Sequence, residues 1–513
     1  MEKQINNNWI KNSIPLFFRM ILTMGISLYT SRVVLNVLGV EDYGLYNVVG
    51  GIVALFTFIN SAMASATQRY LAFDLGKNDY IELSRTFYSV VIIHFIIGLV
   101  IVILCETIGL WYILEKLQFS KNRTNEVQFV FHLSVISIFV SVIQVPFNAL
   151  LISYEKMKIY AFIGIFEVVL KLLIVIFLSY IMIDKLKLYS ILTLSCVILI
   201  FTIYFIYTYK FYISKWPEQK FVFNKTKFSN LISYSGWNLF ENFGAMSRIQ
   251  GHNLILNSFF GPKVNASYSI SLQIQYALNL FVNNIQLAIS PQIIKRYAQG
   301  LVKETLYLIF QGSRYCFFIM LLLVVPLYFN IDFILNKWLI VVPEHTIIFS
   351  KLSLIVILID SLSGPVMAGI QATGKIKLNQ IVVGTLLFIN LPISYLLILI
   401  TNKPEAVFIS SIGISLFTLS SRFYFLWNTF KINYSKMFFD LLIRVGIALG
   451  LIVLCSLLLN ILFDKSIILQ FLSYNLLLLL ILVLIIVFIG LNMEERKKCL
   501  KLLYQSIQRS FGK

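Results

Sequence analysis

Long apolar runs separated by short polar stretches recur along the whole chain. A helix needs roughly 20 apolar residues to cross the ~30 Å hydrocarbon core of a bilayer. Fourteen runs of that order are found, at about 12–38, 43–67, 85–109, 127–151, 158–182, 187–212, 229–258, 264–290, 304–330, 346–370, 376–400, 405–429, 437–461 and 466–491. In hydrocarbon every backbone N–H and C=O must be paired within the protein, so such runs are helices. The pattern predicts an all-α integral membrane protein with about 14 transmembrane helices. The polar end of the chain, Asn492 to Lys513, reads as a basic amphipathic helix lying on the membrane surface.

The pattern also repeats. Pro146-Phe-Asn-Ala149 followed by Lys156-Met-Lys158 is echoed by Pro365-Val-Met-Ala368 followed by Lys375-Ile-Lys377, at an offset of 219 without a gap. Leu35-Asn36, Gly39 and Tyr46 are echoed by Leu256-Asn257, Gly261 and Tyr268, and Arg69-Tyr70 by Arg296-Tyr297. The offset covers six helices, an even number, so the two copies enter the membrane in the same direction and form parallel repeats. The expected organisation is an N-terminal six-helix bundle at 1–212 and a cytoplasmic linker at 213–228. A second six-helix bundle follows at 229–430, then two extra transmembrane helices at 431–491 and the basic tail at 492–513. Two parallel bundles with a cleft between them suit alternating access by rocking.

Composition agrees with this reading, since 59% of residues are hydrophobic and only 13% charged. The net charge of +19 could suggest nucleic acid, but its distribution argues for a membrane face. Twenty-five of the 42 Lys and Arg fall on one side of the fourteen spans, nine on the other, and eight within them. The positive-inside rule then places both termini in the cytoplasm. The five cysteines are scattered, form no CxxC pair and read as small buried hydrophobes. The first apolar run carries Arg19 and shows no cleavage pattern, so it is expected to remain as a membrane helix.

Against this background the ionisable residues inside spans stand out: Arg32, Glu167, Lys171, Glu241, Arg248, His252, Asp360 and Arg422. A charge at the bilayer centre costs about 2.5–3.5 kcal/mol on insertion scales, and such residues face a cavity or one another. Glu241, Arg248 and His252 are spaced i, i+7, i+11 on the seventh span and share one stripe. Arg32 lies one turn before Asn36 on the first span. With Arg32, Arg248, His252, Glu241 and Asn36 as its lining, the predicted cavity is electropositive and suited to a phosphate or carboxylate; Arg binds phosphate bidentately. The alternative is that Arg248 pairs with Glu241 as a structural bridge. Glu167 and Lys171, at i and i+4, are either a neutralised helical pair or part of ion coupling. Asp360 precedes a helix break at Ser361-Leu-Ser-Gly364-Pro365. It is either a hydrogen-bonded structural acid or a site for Na⁺ or H⁺ coupling through freed carbonyls. His94 reads as an interior histidine. Arg19, Lys351 and Arg444 lie where side chains snorkel to the interface.

Nothing points to catalysis. There is no P-loop, HExxH or GxSxG motif, no metal site is expected, and no cofactor beyond a coupling ion.

The stretch Ser31-Arg32-Val-Val-Leu-Asn36-Val-Leu-Gly39-Val-Glu41-Asp42-Tyr43-Gly44-Leu45-Tyr46 resembles the first-helix signature of the bacterial polysaccharide exporters. These are the Wzx-like O-antigen and capsule-unit flippases of the multidrug/oligosaccharidyl-lipid/polysaccharide exporter superfamily. Ala66-Thr67-Gln68-Arg69-Tyr70 with Gly76, and Pro146 to Glu155 before Lys156, resemble the ends of that family's second and fourth helices. The resemblance implies transfer of undecaprenyl-pyrophosphate-linked sugars between leaflets of the bacterial inner membrane, through a cationic central cavity. It implies a lipid-linked oligosaccharide as substrate, with membrane lipids and other polysaccharide-assembly membrane proteins as partners and no nucleic acid. Rival readings are a cation-coupled multidrug exporter or a lipid II flippase of the same superfamily. The excess of cations inside the spans argues against cationic substrates. A membrane sugar polymerase or ligase is a further rival, disfavoured by the short outer loops.

Overall fold

The computed structural model describes residues 12–27, 29–30, 33–34, 36–38, 57–116, 123–181, 184–216, 225–339, 342–431, 435–462, 468–493 and 495–496. These residues are helical almost throughout and contain no strand. The helices are α1 (within 12–38), α2 (Thr57–Gly76), α3 (Tyr80–Leu104), α4 (Leu110–Lys116), α5 (Thr124–Ser153), α6 (Met157–Ser179), α7 (Lys185–Phe211) and α8 (Lys225–Ala298). They continue with α9 (Val302–Trp338), α10 (Thr346–Asp360), α11 (Ser363–Thr373), α12 (Lys377–Thr401), α13 (Ala406–Phe430), α14 (Ser435–Leu462) and α15 (Ile468–Ile485). Ten of the described helical stretches are long and apolar enough to cross a membrane. With α1, α2 and the two arms of α8, this matches the expected all-α fold of about fourteen spans.

Three spans differ from their expected form. The seventh and eighth are one 74-residue helix, α8, broken only at Gly261, whose φ of 77° is left-handed. The third span joins α3 to α4 through a π-helical turn, Cys105–Gly109. The tenth does break where its sequence predicts, since α10 ends at Asp360 and α11 begins at Ser363. Pro365 therefore sits in the first turn of a new helix, where no amide hydrogen is needed. Its counterpart Pro146 sits inside the unbroken α5.

The polar residues within the spans are disarmed locally. Ser134, Ser137 and Ser141 on α5 each donate to the carbonyl four residues back, as do Ser190 and Thr208 on α7, all at 2.7–2.9 Å. Such back-bonds satisfy a hydroxyl that has no water to turn to. Asp79 and Asp184 cap α3 and α7 by accepting from Glu82 N, and from Leu186 N and Lys187 N.

The chain divides into two compact units. The first comprises Met1–Gly244, Leu287–Val302 and Gln371–Gly384. Its core gathers Leu71, Phe87, Phe147, Leu150, Ile163 and Tyr204 from α2, α3, α5, α6 and α7. The second comprises Ala245–Gln286, Lys303–Ile370 and Thr385–Lys513, with a core of Leu256, Tyr268, Phe349, Val407 and Phe408. The first unit thus includes both ends of α8, the end of α11 and the start of α12.

Within the second unit, α15 and the start of the tail are tied to α9. Asn330 donates to Asn475 Oδ1 at 2.7 Å. Arg314 donates twice to the Glu495 carboxylate, at 2.6 and 2.7 Å, and Gln311 donates to the same group at 2.6 Å. Both charged side chains are 6% exposed. Glu495 therefore opens the tail as a buried anchor rather than as part of a surface helix. Residues 497–513 of the expected amphipathic tail lie outside the described residues.

Candidate functional site

The feature that joins the two sequence repeats lies inside the first unit, at the ends of α2, α5, α8 and α11. Arg69, near the end of α2, donates from Nε to the carbonyl of Gln371 and from an Nη to that of Ala372, both at 3.1 Å. These carbonyls belong to the last turn of α11, where four carbonyls have no partner within the helix. The chain then turns at Gly374, whose φ of 77° is left-handed. A Cβ at Gly374 would lie 2.7 Å from the same guanidinium, so this turn needs glycine both for its conformation and for its neighbour. Gln371 donates in turn to Ser65 Oγ at 3.2 Å.

The reverse contact comes from the first repeat. Glu155 closes α5 in a left-handed turn, φ 59°, and stands 219 residues before Gly374, the offset of the repeat. Lys295 donates to its carboxylate at 2.8 Å and Gln292 at 2.7 Å, both from the end of α8. Asn12 of α1 lies within 3.5 Å of the same carboxylate. Thus α2 of the first repeat grips the turn after α11, and α8 of the second grips the turn after α5. The same helix-end-to-turn contact is made twice, with repeats exchanged. We call this pair of contacts the clasp. Gln380 adds a buried hydrogen bond to Asn238 between α12 and α8.

The residues predicted to line a cavity are distributed as follows. Arg32 lies outside the described residues, as does most of the signature from Ser31 to Tyr46. Asn36 is exposed on α1. Glu241 belongs to the first unit, whereas Arg248 and His252 belong to the second; Glu241 and Arg248 are each half-buried. His252 is buried, with Nε2 2.9 Å from Ser394 Oγ and Nδ1 3.5 Å from the Tyr268 hydroxyl. Ser394 is 2.6 Å from Ser410, and Asn390 donates to Ser411 at 3.1 Å. His252 is thus built into a network linking α8, α12 and α13. Lys171 donates to Glu167 at 2.6 Å, so these two form the helical ion pair that their spacing allows. Asp360 is half-buried at the end of α10.

A MatE family model matches residues 15–178. One solved structure, described as the outward-facing conformation of a multidrug resistance MATE family transporter, has 13% identity and a TM-score of 0.69, covering 82% of this chain and 95% of that one. A MATE structure in a bent conformation has 13% identity and a TM-score of 0.70, covering 84% and 96%. The chain has the fold of the MATE transporters. The fold also accommodates a transporter from Pyrococcus furiosus whose binding pocket is described as reversed in polarity and suggestive of a different function. That structure has 11% identity and a TM-score of 0.69, covering 82% and 96%. No curated protein matches the sequence.

Several polar residues of this MATE fold escaped the sequence reading as site residues. Arg69 and Glu155 appear there only as landmarks of repeat and resemblance; Gln292, Lys295 and Gln371 do not appear at all. The signal was present in part, because both landmarks sit at span ends. Arg314, within the ninth apolar run, is likewise not among the residues singled out there. Its partner Glu495 is 181 residues away. Lys351 and Arg444, expected to snorkel, also have specific partners. Lys351 donates to Asp332 at 3.3 Å, and Arg444 to Asp440 at 2.9 Å and to Ile489 O at 2.8 Å.

Proposed function

We propose that the chain is an alternating-access exporter, in which the clasp is the contact that opens to admit substrate from the cytoplasm. The observation that carries this reading is the reciprocal grip of each repeat on the other's turn, in a fold shared with transporters. Rocking two parallel repeats apart at one end requires contacts that are specific yet reversible. Hydrogen bonds from charged donors, worth about 1.5–3 kcal/mol each, meet that need better than a large apolar seam. The positive-inside count supports placing the clasp in the cytoplasm.

Two substrate readings follow from different observations. The likeness to multidrug transporters supports export of small amphiphilic compounds, and the comparisons favour this reading over a glycan one. The opening signature, with Arg32 and Arg248 on the first helices of the two repeats, supports an anionic, lipid-linked oligosaccharide. A pyrophosphate of about two charges would gain ~2.3 kcal/mol per charge per 100 mV on moving outward. On this reading the residues proposed to face the substrate are Arg32, Arg248, His252, Glu241 and Asn36, of which Arg248 and Glu241 are half-buried. Asp360 is the proposed coupling acid, and the Glu167–Lys171 pair is structural.

The deciding experiment follows lipid-linked glycan exposed at the outer surface, and dye efflux, in a deletion strain complemented with wild type or Arg248→Ala. Lost exposure with cytoplasmic accumulation, not restored by Arg248→Ala, supports the glycan reading. Normal exposure with increased dye sensitivity supports the drug reading and removes the anionic cavity. If neither changes, the exporter proposal fails.

A further inference from the structure

A second feature of the first unit lies beside the clasp and is not used by the transport reading. A cavity of about 750 Å³ opens at the ends of α2, α3, α5 and α7, lined by Lys77, Asp79, Tyr154, Tyr212, Lys215 and Trp216 together with the exposed Tyr80, Ile81 and Phe211. Its back wall is aromatic. Tyr154 stacks on Tyr212 with ring centroids 4.1 Å apart, and Trp216 Nε1 lies 3.5 Å from the Tyr154 hydroxyl. Trp216 is held in turn by Phe87 at 5.4 Å.

The chemistry of the lining selects a ligand. Two exposed lysines belong to the lining, on different segments of the chain, with the Lys77 ammonium 4.7 Å from the centre of the Phe73 ring. The one carboxylate, Asp79, is already engaged, since it accepts from Glu82 N at 2.9 Å to cap α3. With two lysines against this one carboxylate, the lining carries a net positive charge. Burial raises the pKa of the Tyr154 phenol, so its hydroxyl remains a donor at physiological pH. Tyr80, Ile81 and Phe211 extend the cavity along helices that continue into the membrane as apolar, exposed surface. Charged donors at the level of span ends, an aromatic floor and an apolar exit match an anion that carries a hydrocarbon tail.

We propose that this cavity binds the phosphate headgroup of an anionic glycerophospholipid, with Lys77 and Lys215 pairing the phosphate, Tyr154 donating to it and the acyl chains leaving over Ile81 and Phe211. The residue after Tyr154 is Glu155 of the clasp, so an occupied cavity buttresses the turn that Lys295 and Gln292 hold.

The test measures lipid retention on the purified full-length protein by native mass spectrometry. Phosphatidylglycerol, phosphatidylcholine and a polyprenyl pyrophosphate are titrated separately in neutral detergent. Wild type is compared with the double substitution K77Q/K215Q, with Tyr154→Phe, and with Lys303→Gln as an exposed-lysine control outside the cavity. Each lysine near a phosphate is worth roughly five-fold, so K77Q/K215Q is expected to weaken phosphatidylglycerol binding roughly 30-fold. Lys303→Gln should leave it unchanged. Tyr154→Phe, which keeps the ring stack, should weaken binding less than the double lysine change. Retention of phosphatidylglycerol by K77Q/K215Q at the wild-type level overturns the proposal, as does equal retention of phosphatidylcholine. Lysine-dependent binding of polyprenyl pyrophosphate in preference to phosphatidylglycerol overturns the assignment to bulk lipid. The readout is binding rather than transport, so it stands or falls independently of the exporter proposal.

Discussion

Lys295 and Glu155 meet at 2.8 Å across 140 residues of chain, one at the end of α8 and the other in the left-handed turn that closes α5. Each side chain is about one-fifth exposed, so solvent screens the pair only in part. Because Gln292 shares the same carboxylate, Glu155 is the hub of this half of the clasp.

Glu155→Gln removes the charge and keeps the shape. It is expected to weaken the clasp by about 1.5–3 kcal/mol, which shifts the open-to-closed ratio roughly 10- to 150-fold. Spin labels on the ends of α5 and α8 would report the change as a new, longer distance in Glu155→Gln. An unchanged distance distribution would mean that the pair does not govern opening.

Arg69 and Gly374 should be coupled. Gly374→Ala places a methyl group against the guanidinium and forces a left-handed alanine, a strain of about 1–2 kcal/mol. Arg69→Ala relieves the clash but strips the Gln371 and Ala372 carbonyls of their donor. A double-mutant cycle read by thermal denaturation in detergent should give an interaction energy above ~0.5 kcal/mol. Strict additivity would show that the two do not act as one contact.

Glu495→Ala should be the most damaging single change outside the clasp. It leaves Arg314 buried without its carboxylate, at a cost of about 3–5 kcal/mol, seen as a lowered melting temperature. Replacing both partners, as in Arg314→Met with Glu495→Leu, should recover much of the loss. If the double variant melts as low as the single one, the packing of the tail rather than the ion pair is what anchors it.

His252 and Arg248 should separate stability from transport. His252→Ala deprives Ser394 of a buried partner and is expected to cost about 1–3 kcal/mol of stability. Half-buried Arg248, changed to Ala, should leave the melting temperature nearly unaltered while lowering export of an anionic substrate. A reversed pattern would assign Arg248 to the scaffold and His252 to the substrate path.

How much of this was legible in the sequence follows from the range of each interaction. Bilayer insertion is decided segment by segment, because each span must satisfy its own backbone. Apolar run length alone therefore yields the helices, and Pro365 after Ser361-Leu362 yields the break in the tenth span. The ion pair of Glu167 with Lys171 was readable for the same reason, as its partners are one helical turn apart. The repeat was readable too, and at its offset of 219 Glu155 and Gly374 both stand in left-handed turns. The partners across those turns were not readable. Which carbonyls Arg69 would reach, that Lys295 would meet Glu155, and that Arg314 would wait for Glu495 all depend on where helices lie side by side. No periodicity encodes that placement; lateral packing of whole helices decides it. By itself the sequence determined a helical, fourteen-span, twice-repeated membrane protein with its positive face to one side. Only the tertiary structure decided which of its charges hold the fold, as Arg314 and Glu495 do, and which hold the two repeats together, as Arg69, Lys295 and Glu155 do, because lateral helix packing sets those partners.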